Sequence, residues 1–329
     1  MNGLEALARR LWTARTPLSL LLLPFSWLFA LALRLRAVLY AAGLLRVERL
    51  PVPAIVVGNF LVGGTGKTPL VLWLVQHLAE RGLRPGVVSR GYGGRNARPA
   101  AVTELSSPAE AGDEPLLLAR RLGAPVWIGR DRAAAARALL ERHPTVDVMV
   151  LDDGLQHRPI ARDFEIAVFD ERGTGNGLLL PAGPLREPPR PVDAVVRNGV
   201  PPAPGEFGMR LVPAGFFRLH DGGAVELGWL RTRRLHAAAG IGRPESFFRT
   251  LAAMGLAFTP HAFPDHHVYR AADLRFADCD AVLLTEKDAV KCAMFERTDL
   301  IMLRVEADVD PALLERIAGR LAALRFPHG

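Results

Sequence analysis

Cysteine is scarce: the 329-residue chain carries only Cys279 and Cys292. A secreted disulfide scaffold would carry more, and a zinc centre would need cysteine or histidine partners at ligand spacing. The two thiols read as free structural groups in a reducing compartment. Internal repeats and long low-complexity stretches are also missing. Charged residues make up 23% and hydrophobic residues 50%, which excludes a disordered chain and allows two ordinary domains with a sizeable core. A basic patch on the folded body, interleaved with aromatics, would suggest nucleic acid, but the basic excess lies elsewhere. Of the formal net charge of +7, residues 1–50 supply +5, from Arg9, Arg10, Arg15, Arg34, Arg36, Arg46 and Arg49 against Glu5 and Glu48. That excess flanks an apolar run, which suits an anionic bilayer surface. No feature calls for nucleic acid or for an obligate protein partner.

The apolar run is Thr16–Leu33, TPLSLLLLPFSWLFALAL. At about 1.5 Å per residue a helix of this length nearly spans a hydrocarbon core. It reads as a membrane anchor, a buried core helix, or a signal peptide with Ala30-Leu31-Ala32 as a small-residue cleavage site. Pro24 argues against a straight transmembrane helix. The favoured reading is an anchor that does not fully cross.

Along the rest of the chain, strands alternate with helices. Strands are expected at Ala54–Gly58, Gly86–Ser89, Pro125–Ile128, Asp147–Leu151 and Phe164–Phe169, and helices at Thr68–Glu80, Glu114–Leu122 and Arg130–Arg142. This is the pattern of a parallel sheet covered on both faces. The proline-dense stretch Pro181–Pro204 reads as surface wrapping. Two extended segments around His220-Asp221-Gly222-Gly223 read as a hairpin. Alternation then resumes from Leu235, with a final helix near Pro311–Leu324. The expected organisation is a membrane-associating helix (1–50), a phosphate-loop nucleotide domain (51–206), a two-stranded linker (207–230) and a smaller α/β domain (231–329).

The chemistry concentrates in GNFLVGGTGKT, Gly58–Thr68, after a strand and opening a helix. Gly63, Gly64, Thr65 and Gly66 let backbone N–H groups converge on one anion, and the helix N-terminus adds partial positive charge. Lys67 neutralises terminal phosphates, and the Thr68 hydroxyl suits Mg²⁺. The pattern departs from the strict phosphate loop, since Leu61 stands five residues before Gly66 where glycine is usual. Asp152 and Asp153 end the buried strand DVMVL, where a carboxylate reaches the same ion. Among the histidines, His261, His266 and His267 share one stretch, but cysteine or spaced carboxylate partners for zinc are lacking.

Ordered motifs then add a resemblance. GNFLVGGTGKTP, SRGYGG (Ser89–Gly94), GDEP (Gly112–Pro115), LDDGLQH (Leu151–His157), LLPAGPLRE (Leu179–Glu187), FPDHH (Phe263–His267) and TEKDAVK (Thr285–Lys291) together resemble the tetraacyldisaccharide 4'-kinases over nearly the whole chain. The resemblance implies transfer of the ATP γ-phosphoryl group to the 4'-hydroxyl of a tetraacylated glucosamine disaccharide phosphate. It also implies dependence on Mg²⁺ and a place at the cytoplasmic face of the bacterial inner membrane. By motif, Asp113 is implied as the base that takes the sugar hydroxyl proton and His266 as its partner, with His267 left open. Lys67 and Thr68 serve nucleotide and metal, and Asp152 and Asp153 the metal. Arg90, Tyr92, Gln156, His157, Arg186 and Glu187 are candidate substrate contacts, and Thr285-Glu286-Lys287-Asp288 is placed near the adenine. The alternative is a membrane-associated regulatory phosphate-loop NTPase, which needs no hydroxyl base.

Overall fold

The structure is a computed structural model that describes residues 11–95, 98–295 and 297–324. Glu5, Arg9 and Arg10 of the basic N-terminus lie outside the described residues. Two helices, α1 (Pro17–Leu21) and α2 (Leu23–Ala41), precede the body. Thr16 caps α1, and its hydroxyl and the Ser19 side chain close a reciprocal capping box. Pro24 stands in the first turn of α2, where the missing N–H costs no helical hydrogen bond. The proline therefore divides the apolar run into two helices rather than kinking one.

The body begins with β1 (Ala54–Gly58), followed by α3 (Lys67–Glu80), β2 (Pro85–Ser89), β3 (Ala100–Val102), α4 (Pro108–Ala111), α5 (Asp113–Arg121), β4 (Val126–Ile128) and α6 (Arg132–Arg142). Next come β5 (Val148–Asp152), β6 (Phe164–Phe169), β7 (Ala194–Asn198), β8 (Phe207–Arg218), β9 (Ala224–Val225) and α7 (Leu227–Leu230). The chain continues through β10 (Leu235–Ala239), α8 (Pro244–Ala253), β11 (Phe258–Ala262), β12 (Ala281–Thr285), α9 (Glu286–Cys292), β13 (Leu300–Val309) and α10 (Ala312–Ala322). The strands form one sheet in the order β11-β10-β12-β13-β8-β7-β6-β1-β5-β2-β4-β3, with β9 on β8.

Strand β1 lies between β5 and β6, parallel to both, so the strand end that leads into the phosphate loop is central in the sheet. Its residues are buried on both faces, as a parallel sheet requires. One face packs against Leu70 and Leu74 of α3, Leu116 and Leu118 of α5, and Leu313 and Ile317 of α10. The other packs against Ala135, Ala136 and Leu139 of α6, with Phe60 and Leu155. Smaller cores flank the C-terminal strands, around Phe247 and Leu251 on one side and Leu274, Ala289 and Cys292 on the other.

Two regions differ from the sequence reading. The proline-dense stretch contains β7, a central strand paired with β6 and β8; its prolines flank Ala194–Asn198 rather than interrupting it, so they need not withhold any ladder donor. In the 207–230 segment the hairpin is present, but β9 is short, and the long partner of β8 is β13, antiparallel from Ile301↔Arg218 to Val309↔Met209. Within the single sheet this ribbon lies between strands β1–β7, here the first half, and strands β10–β12, the second half. The far end of β13 and the whole of α10 return to the core of the first half, because Leu313, Leu314 and Ile317 line one helix face.

A buried ionic knot secures the same junction. Glu286 at the start of α9 accepts from Arg121 Nη1 at the end of α5 (2.7 Å) and from the Val305 N–H (3.1 Å). Removing one partner of a buried pair leaves an uncompensated charge. Glu286→Ala should therefore lower stability by about 3 kcal/mol, read as a shift in the urea midpoint; an unmoved midpoint would contradict the assignment.

Candidate active site

The loop between β1 and α3 takes its shape from its glycines. Gly63 and Gly66 hold φ of 94° and 91°, in the left-handed region open to glycine. A Cβ on Gly66 would also stand 2.4 Å from Asn198 Nδ2. Asn59 ties the loop from inside, donating to Gly63 O and Thr65 Oγ1, while Asn198 donates to Thr65 O at 3.0 Å. From outside, Arg172 donates to Val62 O and Gly64 O and is held bidentate by the buried Asp170 at the end of β6. Arg243, from the second half, reaches Glu171 at 2.7 Å and Asp170 at 3.5 Å. Carbonyl groups of the loop thus face protein donors, which leaves its N–H groups to bind an anion.

Lys67 opens α3 with its ammonium 3.3 Å from Asn59 Oδ1 and 3.3 Å from Asp153 Oδ1. Thr68 follows on the first turn. Asp152 lies in register with Val57, one residue before Gly58, so the sheet itself sets it beside the loop. Its Oδ2 accepts from Ser89 Oγ at 3.0 Å, and its Oδ1 is buried with no hydrogen-bond partner. Burial, then Glu114 and Asp153, push its pKa up to about 7. Asp153 has the opposite fate. Burial opposes its charge, but Lys67 and Arg186 outweigh burial and hold it well below the usual carboxylate range. Arg186 Nη1 stands 2.9 Å from Asp153 Oδ2. Asp153 also adopts φ of 51°, a costly conformation outside glycine that turns its carboxylate toward these cations.

A second cluster lies near this one where the two halves meet: a Cβ on Gly242 would stand 3.3 Å from Asp265 Oδ2 and 3.6 Å from Gly64 N, and the space between the two clusters is here termed the cleft. Asp113, buried at the start of α5, accepts from His266 Nδ1 at 3.0 Å through Oδ2 and from the Glu114 N–H through Oδ1. Gly112 holds φ of 87° just before it, with the Tyr92 carbonyl where a Cβ would lie, so glycine alone fits the turn. His266 has φ of 58° and its ring lies 5.1 Å from that of Tyr92. Burial would raise the Asp113 pKa, yet the His266 hydrogen bond and Lys287 bring it below the ordinary value. His266 is raised, chiefly by the Asp113 hydrogen bond and against burial. His267 turns away: it pairs with Asp273 at 3.1 Å and packs between Phe263 and Tyr269.

The remaining sequence candidates divide. Tyr92 is exposed beside His266, and Arg90 is exposed at the end of β2. Gln156 donates to Asn59 O and to the buried Glu187, so these two side chains brace the loop and each other. His157 is kept neutral by burial and by Arg132, which lower its pKa to about 4. The Thr285–Asp288 segment is not free to read a base. Thr285 caps α9, Glu286 is in the ionic knot, and Asp288 is fully buried against the Gly240 N–H and Lys291. Only Lys287 projects toward the cleft, where its Nζ lies 2.9 Å from Glu114, 3.7 Å from Asp265 and 3.8 Å from Asp113.

Sequence reading missed several groups here. Arg132, on the first turn of α6, is buried, and Asp153 and Asp152 are the acids that most favour its charge. Its signal was Asp131-Arg132 just past the end of β4, the same strand edge that carries the phosphate loop. Asp170, Arg172 and Asn198 likewise sit at or just beyond the ends of β6 and β7. Lys67, Lys287 and Lys291 are the only lysines in the sequence, and the first two enter the cleft.

This geometry has known counterparts. The sequence model of the family described as Tetraacyldisaccharide-1-P 4'-kinase matches residues 18–322. The chain belongs to that family. A tetraacyldisaccharide 4'-kinase of Methylobacillus flagellatus is 48% identical over 96% of this chain and 96% of its own length. One from Dechloromonas aromatica is 51% identical over 93% of this chain and 94% of its own. The crystal structure of LpxK from Aquifex aeolicus in complex with ATP superposes with a TM-score of 0.80 at 32% identity, covering 92% of this chain and 99% of that one. The mixed, mostly parallel α/β sheet described above is thus the fold shared with that structure.

The Asp113–His266 pair predicts a bounded pH window of stability. Asp113 lies below its ordinary 3.8, so its contribution is present above that value and fades as pH falls through the lowered one. His266 lies above its ordinary 6.5, so its contribution is full below that value and fades as pH rises through the raised one. The stability lost on His266→Ala should be largest between these two values and shrink toward alkaline pH in denaturant titrations. A loss that grows above neutrality would contradict the pairing.

Proposed function

We propose that this chain transfers the γ-phosphoryl group of ATP to the 4'-hydroxyl of a tetraacylated glucosamine disaccharide 1-phosphate, a step of lipid A synthesis, at a membrane surface. One observation supports this reading beyond nucleotide binding: Asp113 and His266 form a hydrogen-bonded acid–imidazole pair near the phosphate-loop group, with Glu114 beside Asp113 acting on Asp152. A regulatory NTPase has no need of a base for a sugar hydroxyl, whereas a kinase gains from one.

In the reaction the sugar oxygen forms a bond to Pγ while the bond from Pγ to the bridging oxygen of ADP breaks. The hydroxyl proton passes to the Asp113–His266 pair. Both Asp113 oxygens already accept hydrogen bonds, so His266 Nε2, 3.9 Å from Asp265 Oδ1, is the atom of the pair left to take the proton. Charge accumulating on the phosphates is met by the loop N–H groups, the α3 N-terminus and Lys67, with Arg132 and Arg186 behind Asp153. Gly63, Gly64, Thr65 and Gly66 form the cradle.

The residues present also fit Mg²⁺. Among the described residues, no three His, Cys, Asp or Glu side chains converge as a preformed metal cage. Mg²⁺ instead takes one or two carboxylates and fills its shell from phosphates and water. The buried, unpartnered Asp152 Oδ1 and the Thr68 hydroxyl are the donors for it, with Asp153 beside them. When bound, the ion neutralises phosphate charge. Arg90 and Tyr92, exposed at the cleft, are the side chains available to the sugar or its 1-phosphate; Gln156, His157 and Glu187 act behind the loop.

The N-terminal helices support membrane attachment. Helix α2 is long and apolar enough to cross a bilayer. Phe25, Trp27, Leu28, Leu31, Leu35 and Val38 are exposed on it, so it is not a core helix of the body. Its polar contacts to the body are specific: Ser26 Oγ donates to Leu179 O and accepts from the Ala182 N–H, and Arg36 donates to Gln156 O. Such a face suits acyl chains, with the body at the cytoplasmic side of the inner membrane, where ATP is available, and the site close enough for a lipid-linked sugar to reach.

With labelled ATP and the disaccharide monophosphate, the label should enter the lipid as a bis-phosphorylated product. Release of free phosphate alone would indicate the regulatory alternative. Lys67→Ala should reduce transfer by about a thousandfold, and Asp113→Ala should lower kcat with the KM for ATP retained. Wild-type turnover in either would remove that residue from its role. Removing residues 1–45 should move the protein from membrane pellet to supernatant; retention in the pellet would refute the anchor.

A further inference from the structure

Lys287 belongs to the second half of the molecule but ends in the cleft of the first. It stands on the first turn of α9, just after Thr285, whose hydroxyl caps that helix. Its side chain is largely buried, and its ammonium meets Glu114, Asp265 and Asp113 within 4 Å. The neighbouring Glu286 already joins α9 to the other end of α5 through Arg121. Holding the helices together therefore needs nothing more from Lys287 than its contact to Glu114. Its reach to Asp113 and Asp265 calls for a separate explanation.

The residue type is informative. Arginine supplies most of the chain's positive charge, and its planar fork would lock onto one carboxylate in a two-point pair. An ammonium is a compact point charge that several acids can share. Three carboxylates converging without that cation would repel one another and draw protons.

Resting on the kinase reading above, we propose that Lys287 is a positioning residue for phosphoryl transfer: its ammonium keeps the Asp113–His266 pair ready to accept the sugar proton and fixes it across the cleft. The groups facing the pair are Lys287 and Lys291 from α9, Glu114 from α5, Asp265 from the loop before His266, and the Tyr92 ring. Asp288 is turned away toward the Gly240 N–H and Lys291. Lys287 opposes a proton on Asp113 and on His266 alike. The direction of the effect is thus the same whichever of the two holds the proton. Burial disfavours the Lys287 charge, but Glu114, Asp113 and Asp265 raise its pKa above the ordinary lysine value, so it stays cationic throughout the working range.

The test is the pH profile of kcat/KM for lipid phosphorylation by the full-length enzyme. In Lys287→Met the acid limb should move to higher pH by about one unit or more, with kcat reduced at neutral pH and the KM for ATP unchanged. Lys287→Arg should return the limb close to its wild-type position because the charge is restored. Glu114→Gln, which removes an anion beside the pair, should move the limb the other way, and it decides the matter if the methionine variant does not fold. An acid limb that stays put in Lys287→Met, or in Glu114→Gln where the former is insoluble, would overturn the proposal. Asp113→Ala measured in parallel separates the two claims. If it too turns over at the wild-type rate, the kinase site itself is misassigned; if it is inactive while the limb stays put, only the role of Lys287 falls.

Discussion

Charge balance around buried carboxylates is the constraint on which this structure depends. Asp113, Glu114, Asp152, Asp153 and Asp265 come together where the two halves meet. Acids so placed, with Asp113 and Asp152 buried, would take up protons or push the halves apart unless cations were set among them. The fold answers with two groups. Lys67, Arg186 and Arg132 surround Asp153, and His266 with Lys287 surrounds Asp113 and Glu114. The burial-driven rise of Asp152 to about 7 marks the one acid left without a full partner. In the proposed function, that is the place where a divalent cation supplies the missing charge.

The two groups are built differently. The phosphate-loop group is local to one sheet edge: Gly58, Asp152 and Asp170 stand at the ends of neighbouring parallel strands, so strand register alone brings the start of the loop and both carboxylates to the same edge. The Asp113 group depends on tertiary assembly. His266 and Lys287 lie more than 150 residues along the chain from Asp113, and they reach it only because the β8–β13 ribbon and the Glu286 knot hold the halves in one arrangement. In the proposed function, nucleotide binding and proton acceptance thus rest on separate supports that meet at Glu114, whose charge is felt by Asp152 on one side and Lys287 on the other.

This division also explains what could be read from the residues. The phosphate loop, the DVMVL strand with its two acids and the strand–helix alternation depend on short-range patterns, and each lies where the sequence indicates. The choice between His266 and His267 was not legible, since both follow the same proline and only the positive φ of His266 aims its ring at Asp113. Arg132 looked like one arginine among many on an alanine-rich helix; its meaning comes from being buried opposite Asp153. Strand β7 was hidden by the prolines on either side of it, because a short apolar run between them fits a loop as well as a strand. The return of α10 to the first half was equally hidden, because an amphipathic face does not say which core it covers.

The most direct measurement of the central claim is a structure of the enzyme with a non-hydrolysable ATP analogue and Mg²⁺. The triphosphate should be wrapped by residues 63–67, with Lys67 at its terminal phosphates. The cation should lie on the side of Thr68 and Asp152, and the terminal phosphoryl group should face the Asp113–His266 pair across the cleft. A triphosphate bound away from the loop, or Asp152 and Asp153 directed away from the ion, would contradict that claim.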